Sequence, residues 1–71
     1  MNNEIILAFG KKIRKLRIEK GLSQEKLAEL TGFHRTYISL IERGQRNIGL
    51  KNIAVFANFF GIHINELLKG I

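Results

Sequence analysis

The chain has 71 residues, with 12 Lys and Arg against 6 acidic side chains and a formal charge of +6, so it holds one small core and suits a polyanion, either nucleic acid or an anionic membrane surface. Cysteine is absent, which excludes a disulfide framework and a thiolate metal site and fits a reducing compartment. The start, Met1-Asn2-Asn3-Glu4, lacks the basic segment of a secretory leader, and the apolar run Ile5 to Phe9 is too short to span a bilayer, so a soluble protein folded as one domain over residues 1–71 is expected. A domain of this size buries only about 60% of its unfolded surface, and association with a second copy would help it.

Proline is absent and glycine punctuates the chain: Gly21, Gly32, Gly44, Gly61 and Gly70 each follow a helix-like segment. The first helix is expected from about Asn3 to Lys20, with Ile6, Phe9, Ile13 and Leu16 on one side and Lys11, Lys12, Arg14 and Lys15 around the rest. Gly10 inside it should cost about 1 kcal/mol relative to alanine. Ser23 is a good N-cap for the second helix, Glu25 meets the macrodipole in its first turn, and Leu27, Ala28 and Leu30 are its apolar residues. A third helix covers about His34 to Arg43. The fourth runs from about Leu50 to Phe60, with Leu50, Ile53, Ala54, Ala57 and Phe60 as the expected inner stripe. A short fifth helix, His63 to Lys69, carries Ile64, Leu67 and Leu68. No segment alternates with period two for long enough to suggest a sheet, so the fold class is all-α, a compact five-helix domain.

The segment from Gln24 to Ile41 reads as two helices joined by a tight turn. Ala28 faces the turn, Gly32 ends the second helix, and Phe33, Ile38 and Ile41 reach back beneath it. With Ile38 and Ile41 pointing inward and Tyr37 at the edge, Arg35, Thr36, Ser39, Leu40 and Arg43 share the outward arc of the third helix. A guanidinium, two hydroxyls and an apolar contact are the groups that read base edges: Arg pairs bidentately with guanine, Ser and Thr adapt, and an apolar group meets the thymine methyl. A merely solvated face would more often carry Glu and Lys.

The run SQEKLAELTGFHRTYISLIERG resembles the helix-turn-helix of phage repressor and Cro proteins, and the resemblance extends from about Ile13 to Gly70. RTYISLIERGQRN, Arg35 to Asn47, is similar to the controller proteins of bacterial restriction–modification systems, small dimeric regulators of their own gene and of the endonuclease gene. This resemblance implies a cytoplasmic, sequence-specific transcription regulator that binds an approximately palindromic operator in double-stranded DNA, with RNA polymerase as a further partner if it activates. Within it, Arg35 and Thr36 would read bases, with Ser39 and Leu40 as additional contacts. Gln24 would meet a phosphate and support the third helix, and Tyr37 would contact the backbone or position the helix. Arg43, Arg46 and Asn47 would grip phosphates, with Lys51 nearby; such contacts set register without reading sequence. The resemblance also pairs Arg17 with Glu42, a structural tie rather than a DNA contact. Two positions depart from the pattern. His34 occupies the N-cap of the third helix, where its imidazole caps or faces a phosphate, and Gly49 stands where a hydroxyl often caps the fourth.

Other functions find less support. Ser23, Ser39, Thr31 and Thr36 have no His and carboxylate arrangement that would activate a nucleophile, so no enzyme is expected. His34 and His63 are far apart with no Cys or Asp to complete a metal site, and no cofactor is expected. The basic, amphipathic first helix would suit a membrane surface, but its apolar stripe is needed for the core. A phage or plasmid repressor, or an antitoxin or protein-interaction module, is an alternative. Val55, Phe56 and Phe59 stay apolar outside the inner stripe of the fourth helix and, with Ile62, Leu68 or Ile71, suggest a homodimer interface. Packing of the same residues within one monomer against the fifth helix is the competing reading.

Overall fold

The computed structural model describes residues 3–71; Met1 and Asn2, the start of the N-terminal segment discussed above, lie outside the described residues. Among the described residues five helices follow in order: α1 (Asn3–Glu19), α2 (Gln24–Thr31), α3 (Arg35–Glu42), α4 (Leu50–Phe60) and α5 (Ile64–Leu67). The described residues contain no strand. α4 has the limits expected from its pattern, whereas α1, α3 and α5 are shorter by one to a few residues, because His34 and His63 are extended N-caps and Lys20, Arg43, Leu68 and Lys69 lie in the closing turns. All five glycines that follow helix-like segments take positive φ.

Local chemistry sets the joint between α2 and α3. Ser23 accepts a hydrogen bond from the Lys26 N–H at 3.0 Å, a cap worth about 1 kcal/mol. At the other end Thr31 donates its hydroxyl back to the Leu27 carbonyl at 2.8 Å. Gly32 then turns left-handed at φ 86°, and its N–H closes on the Ala28 carbonyl at 2.9 Å. A side chain at that φ would be strained, so glycine is what lets the chain reverse between the two helices. His34 takes the N-cap of α3 with extended backbone, but its imidazole makes no capping bond.

α1 and α2 both pack on α3, and α4 packs on α2 and α5. Phe9 and Ile13 from α1, Leu27 and Ala28 from α2, Ile38 and Ile41 from α3, Phe56 and Ala57 from α4, and Leu67 from α5 form the buried core. Gly10 has a role that helix propensity alone does not reveal. A Cβ there would collide with the Ile41 carbonyl oxygen and lie 3.1 Å from that of Glu42, so α1 crosses the end of α3 at a distance only glycine permits.

The inner face of α4 differs from the expected stripe. Leu50 is 71% exposed, while Phe56 is fully buried among Phe9 and Phe33. Leu50 opens the helix, beyond the reach of the core, and the large Phe56 ring turns the buried face toward itself. Leu30 on α2 is likewise half exposed. Among the described residues no helix is long and apolar enough to cross a membrane.

Candidate nucleic-acid interface

α3 has two faces with opposite fates. Ile38 and Ile41 are sealed in the core, while Arg35 and Thr36, in the first turn, are exposed. Tyr37, Ser39 and Leu40 are half-buried, and Arg43, Arg46, Asn47 and Lys51 are exposed. Arg43 donates from Nε to the Ser39 carbonyl at 3.4 Å, a long bond that leaves its remaining guanidinium nitrogens available. The face therefore combines three arginines and a lysine with hydroxyls and one apolar side chain, the mixture that suits a duplex presenting phosphates and base edges together.

The end of α3 is fixed by an ion pair that binds three elements. Arg17 on α1 donates from Nε to Glu42 Oε2 at 2.7 Å and from Nη2 to Oε1 at 3.0 Å, and its Nη1 reaches the Leu22 carbonyl at 2.8 Å. The hydrogen bond to Glu42 raises the Arg17 pKa; desolvation opposes it, and the carboxylate charge adds to it. Gln24, the first residue of α2, donates Nε2 to the same Glu42 Oε1 at 3.0 Å. Glu42 is thus satisfied by two neighbours although its side chain is only 2% exposed. One Gln24 N–H is committed to α3, and what remains of the amide for a phosphate is its other N–H.

Tyr37 is held by a second set of contacts. Its ring packs edge-on against Phe33 at 4.9 Å between centroids, and Phe33 in turn lies 5.1 Å from Phe56. The Arg46 guanidinium sits 5.1 Å from the Tyr37 ring centroid, a cation–π arrangement. Asn52, on α4, donates Nδ2 to the Tyr37 hydroxyl at 2.8 Å. Thr36, Tyr37, Leu40 and Arg46 border an open hollow of about 480 Å³ beside α3. Asn52 is absent from the residues singled out by sequence: a polar side chain in the first turn of α4 reads as solvated, and only the fold brings it to Tyr37.

The residues assigned to an interface between copies separate. Phe56 departs from that expectation: it is fully buried within the monomer, in edge contact with Phe9 and tilted against Phe33, and has no surface to offer a partner. Phe59 is half-buried and packs edge-on against Phe60 at 5.1 Å, Val55 is half-buried, and Ile71 is 39% exposed. Among the described residues no group of three or more His, Cys, Asp or Glu converges.

Residues 13–67 match a helix-turn-helix family. Control protein C.BamHI of Bacillus amyloliquefaciens is 49% identical over 69 residues, spanning 96% of this chain and 85% of that protein. The crystal structure of the restriction–modification controller protein C.AhdI from Aeromonas hydrophila superposes with a TM-score of 0.81 at 48% identity, covering 87% of this chain and 94% of that one. That of the controller protein C.Esp1396I, a tetramer in complex with its natural 35 base-pair operator, gives 0.79 at 34% identity over 90% and 88% of the two chains.

Proposed function

This chain belongs to the helix-turn-helix family and, within it, to the controller proteins of restriction–modification systems, and on that premise we propose that it is a sequence-specific DNA-binding transcription regulator acting from an approximately palindromic operator. The observation that carries this reading is the opposed burial of α3: Ile38 and Ile41 anchor it, so Arg35 and Thr36 are offered in the first turn without loosening the core. In the major groove, Arg35 pairs with a guanine, Thr36 adapts beside it, and Ser39 and Leu40 add contacts deeper along the helix. Gln24, Tyr37, Arg43, Arg46, Asn47 and Lys51 hold phosphates and set the register.

In this reading a homodimer places its two α3 helices about one turn of DNA, roughly 34 Å, apart, so that each copy meets one half-site. Residues 1–71 act as one domain in this reading, with Val55, Phe59 and Ile71 at the interface between copies. The regulator works in the bacterial cytoplasm, has no catalytic step, and meets RNA polymerase where it activates.

Selection of bound duplexes from a random pool tests the proposal. A two-fold related consensus with half-sites about one turn apart supports it. Binding without preference for any sequence at physiological salt overturns it.

A further inference from the structure

Tyr37 is half-buried, and among the described residues its hydroxyl has one hydrogen-bond partner. Its hydroxyl accepts from Asn52 Nδ2 at 2.8 Å, across the gap between α3 and α4. A phenolic hydroxyl has one hydrogen to donate and lone pairs to accept with, whereas an amide NH₂ only donates. Because the Asn52 amide donates to one lone pair and takes no hydrogen, the phenolic hydrogen is left for another group. The ring cannot swing to change that, since Phe33 lies edge-on at 4.9 Å and is itself packed on the fully buried Phe56. The Arg46 guanidinium, 5.1 Å from the ring centroid, adds positive potential beside the ring.

We propose that Asn52 is a positioning residue for DNA recognition: by donating to Tyr37 it fixes the phenol as a hydrogen-bond donor toward an acceptor atom of the duplex. This rests on the DNA-binding reading above. An acceptor on DNA selects this arrangement over its reverse. If the Asn52 amide were turned, its carbonyl would take the phenolic hydrogen, and Tyr37 would present only lone pairs to a phosphate oxygen or a base-edge acceptor, which repel. The same bond ties the start of α4 to α3, so the donor is aimed by two helices rather than one.

Affinity of the full chain for its selected duplex tests this through a double-mutant cycle, with far-ultraviolet circular dichroism confirming the fold of each variant. Tyr37→Phe weakens binding by about tenfold, the loss of one charge-assisted or base-edge hydrogen bond. Asn52→Ala weakens it by a similar or smaller factor, and the double variant binds within about twofold of Tyr37→Phe alone, because Asn52 acts only through the hydroxyl. Asn52→Leu, which fills the same space, gives the same result if Asn52→Ala is poorly folded. Losses that multiply in the double variant, or wild-type affinity for both Asn52 variants, overturn the proposal. A loss common to all sequences assigns the acceptor to phosphate; a loss confined to one base position assigns it to a base edge. Tyr37 is the only tyrosine and there is no tryptophan, so the tyrosine Raman doublet, whose intensity ratio separates accepting from donating phenols, reports this hydroxyl alone. In the free protein, where water takes the phenolic hydrogen, the doublet carries an accepting contribution that is lost on substitution of Asn52; an unchanged doublet overturns the proposal. Failure of the wild-type chain to prefer any duplex overturns the functional reading itself, an outcome distinct from each of these.

Discussion

Arg35 and Arg46 carry the same charge to different ends. Arg35 projects from the first turn of α3, where a guanidinium can reach a guanine edge, so Arg35→Ala should cost roughly 1–3 kcal/mol on the preferred operator and relax preference at one base position. Competition among single-base operator variants measures this. Arg46 lies beyond α3 over the Tyr37 ring, so Arg46→Ala should weaken binding to all sequences and lower the slope of affinity against salt by about one. A residue that ties the helices together can matter as much. Removing Arg17 leaves the Glu42 charge buried without its counter-ion, so Arg17→Ala should cost about 3 kcal/mol or more in denaturant unfolding, and Glu42→Ala less, because Arg17 is only half-buried and keeps its bond to the Leu22 carbonyl. The raised Arg17 pKa gives a contribution fully present below the usual arginine range and lost only as pH rises past the folded value, so the guanidinium stays charged throughout neutral conditions. Gly10→Ala tests a sign: alanine favours the helix by about 1 kcal/mol, yet its Cβ strikes the Ile41 carbonyl, and overpacking of about 1–3 kcal/mol should lower the melting temperature.

At the scale of elements, α4 separates what periodicity reveals from what packing decides. Its limits follow from Gly49 and Gly61 on either side of an apolar run, and those signals are local. Its inner face is not local, because a helix as rich in apolar residues as LKNIAVFANFF offers several stripes of similar quality. The choice fell to Phe56, which meets both Phe9 and Phe33. Phe56→Ala should accordingly cost about 3–5 kcal/mol, whereas Leu50→Ala should stay within about 0.5 kcal/mol, as thermal unfolding of the two variants would show. α3 was legible because its polarity is unambiguous: Ile38 and Ile41 leave only one way to turn it, and that turn exposes Arg35 and Thr36. The Asn52 to Tyr37 bond joins residues 15 positions apart on different helices, and no pattern within either helix announces it. Gly10 shows the same limit from the other side, since its helix penalty is visible in sequence but the carbonyl it makes room for is not.

At the scale of the whole molecule, a 71-residue chain with nine buried apolar side chains among the described residues has little stability to spare, and pairing of copies would add to it. With Phe56 committed to the core, Val55 offers the cleaner test of an interface than Phe59, which also packs within the monomer. Val55→Lys should shift sedimentation toward the monomer and weaken cooperative operator binding while leaving the helical circular dichroism unchanged. Unchanged sedimentation would place the contact elsewhere on the surface.

The exposure of Arg35 and Thr36 has a consequence for how such regulators diversify. Neither side chain helps to hold the domain together, so exchanging them taxes the fold little, and surface changes of that kind usually lie within about 0.5 kcal/mol. If Arg35 and Thr36 read bases as proposed, exchanging this outward pair would redirect recognition while the scaffold stays the same.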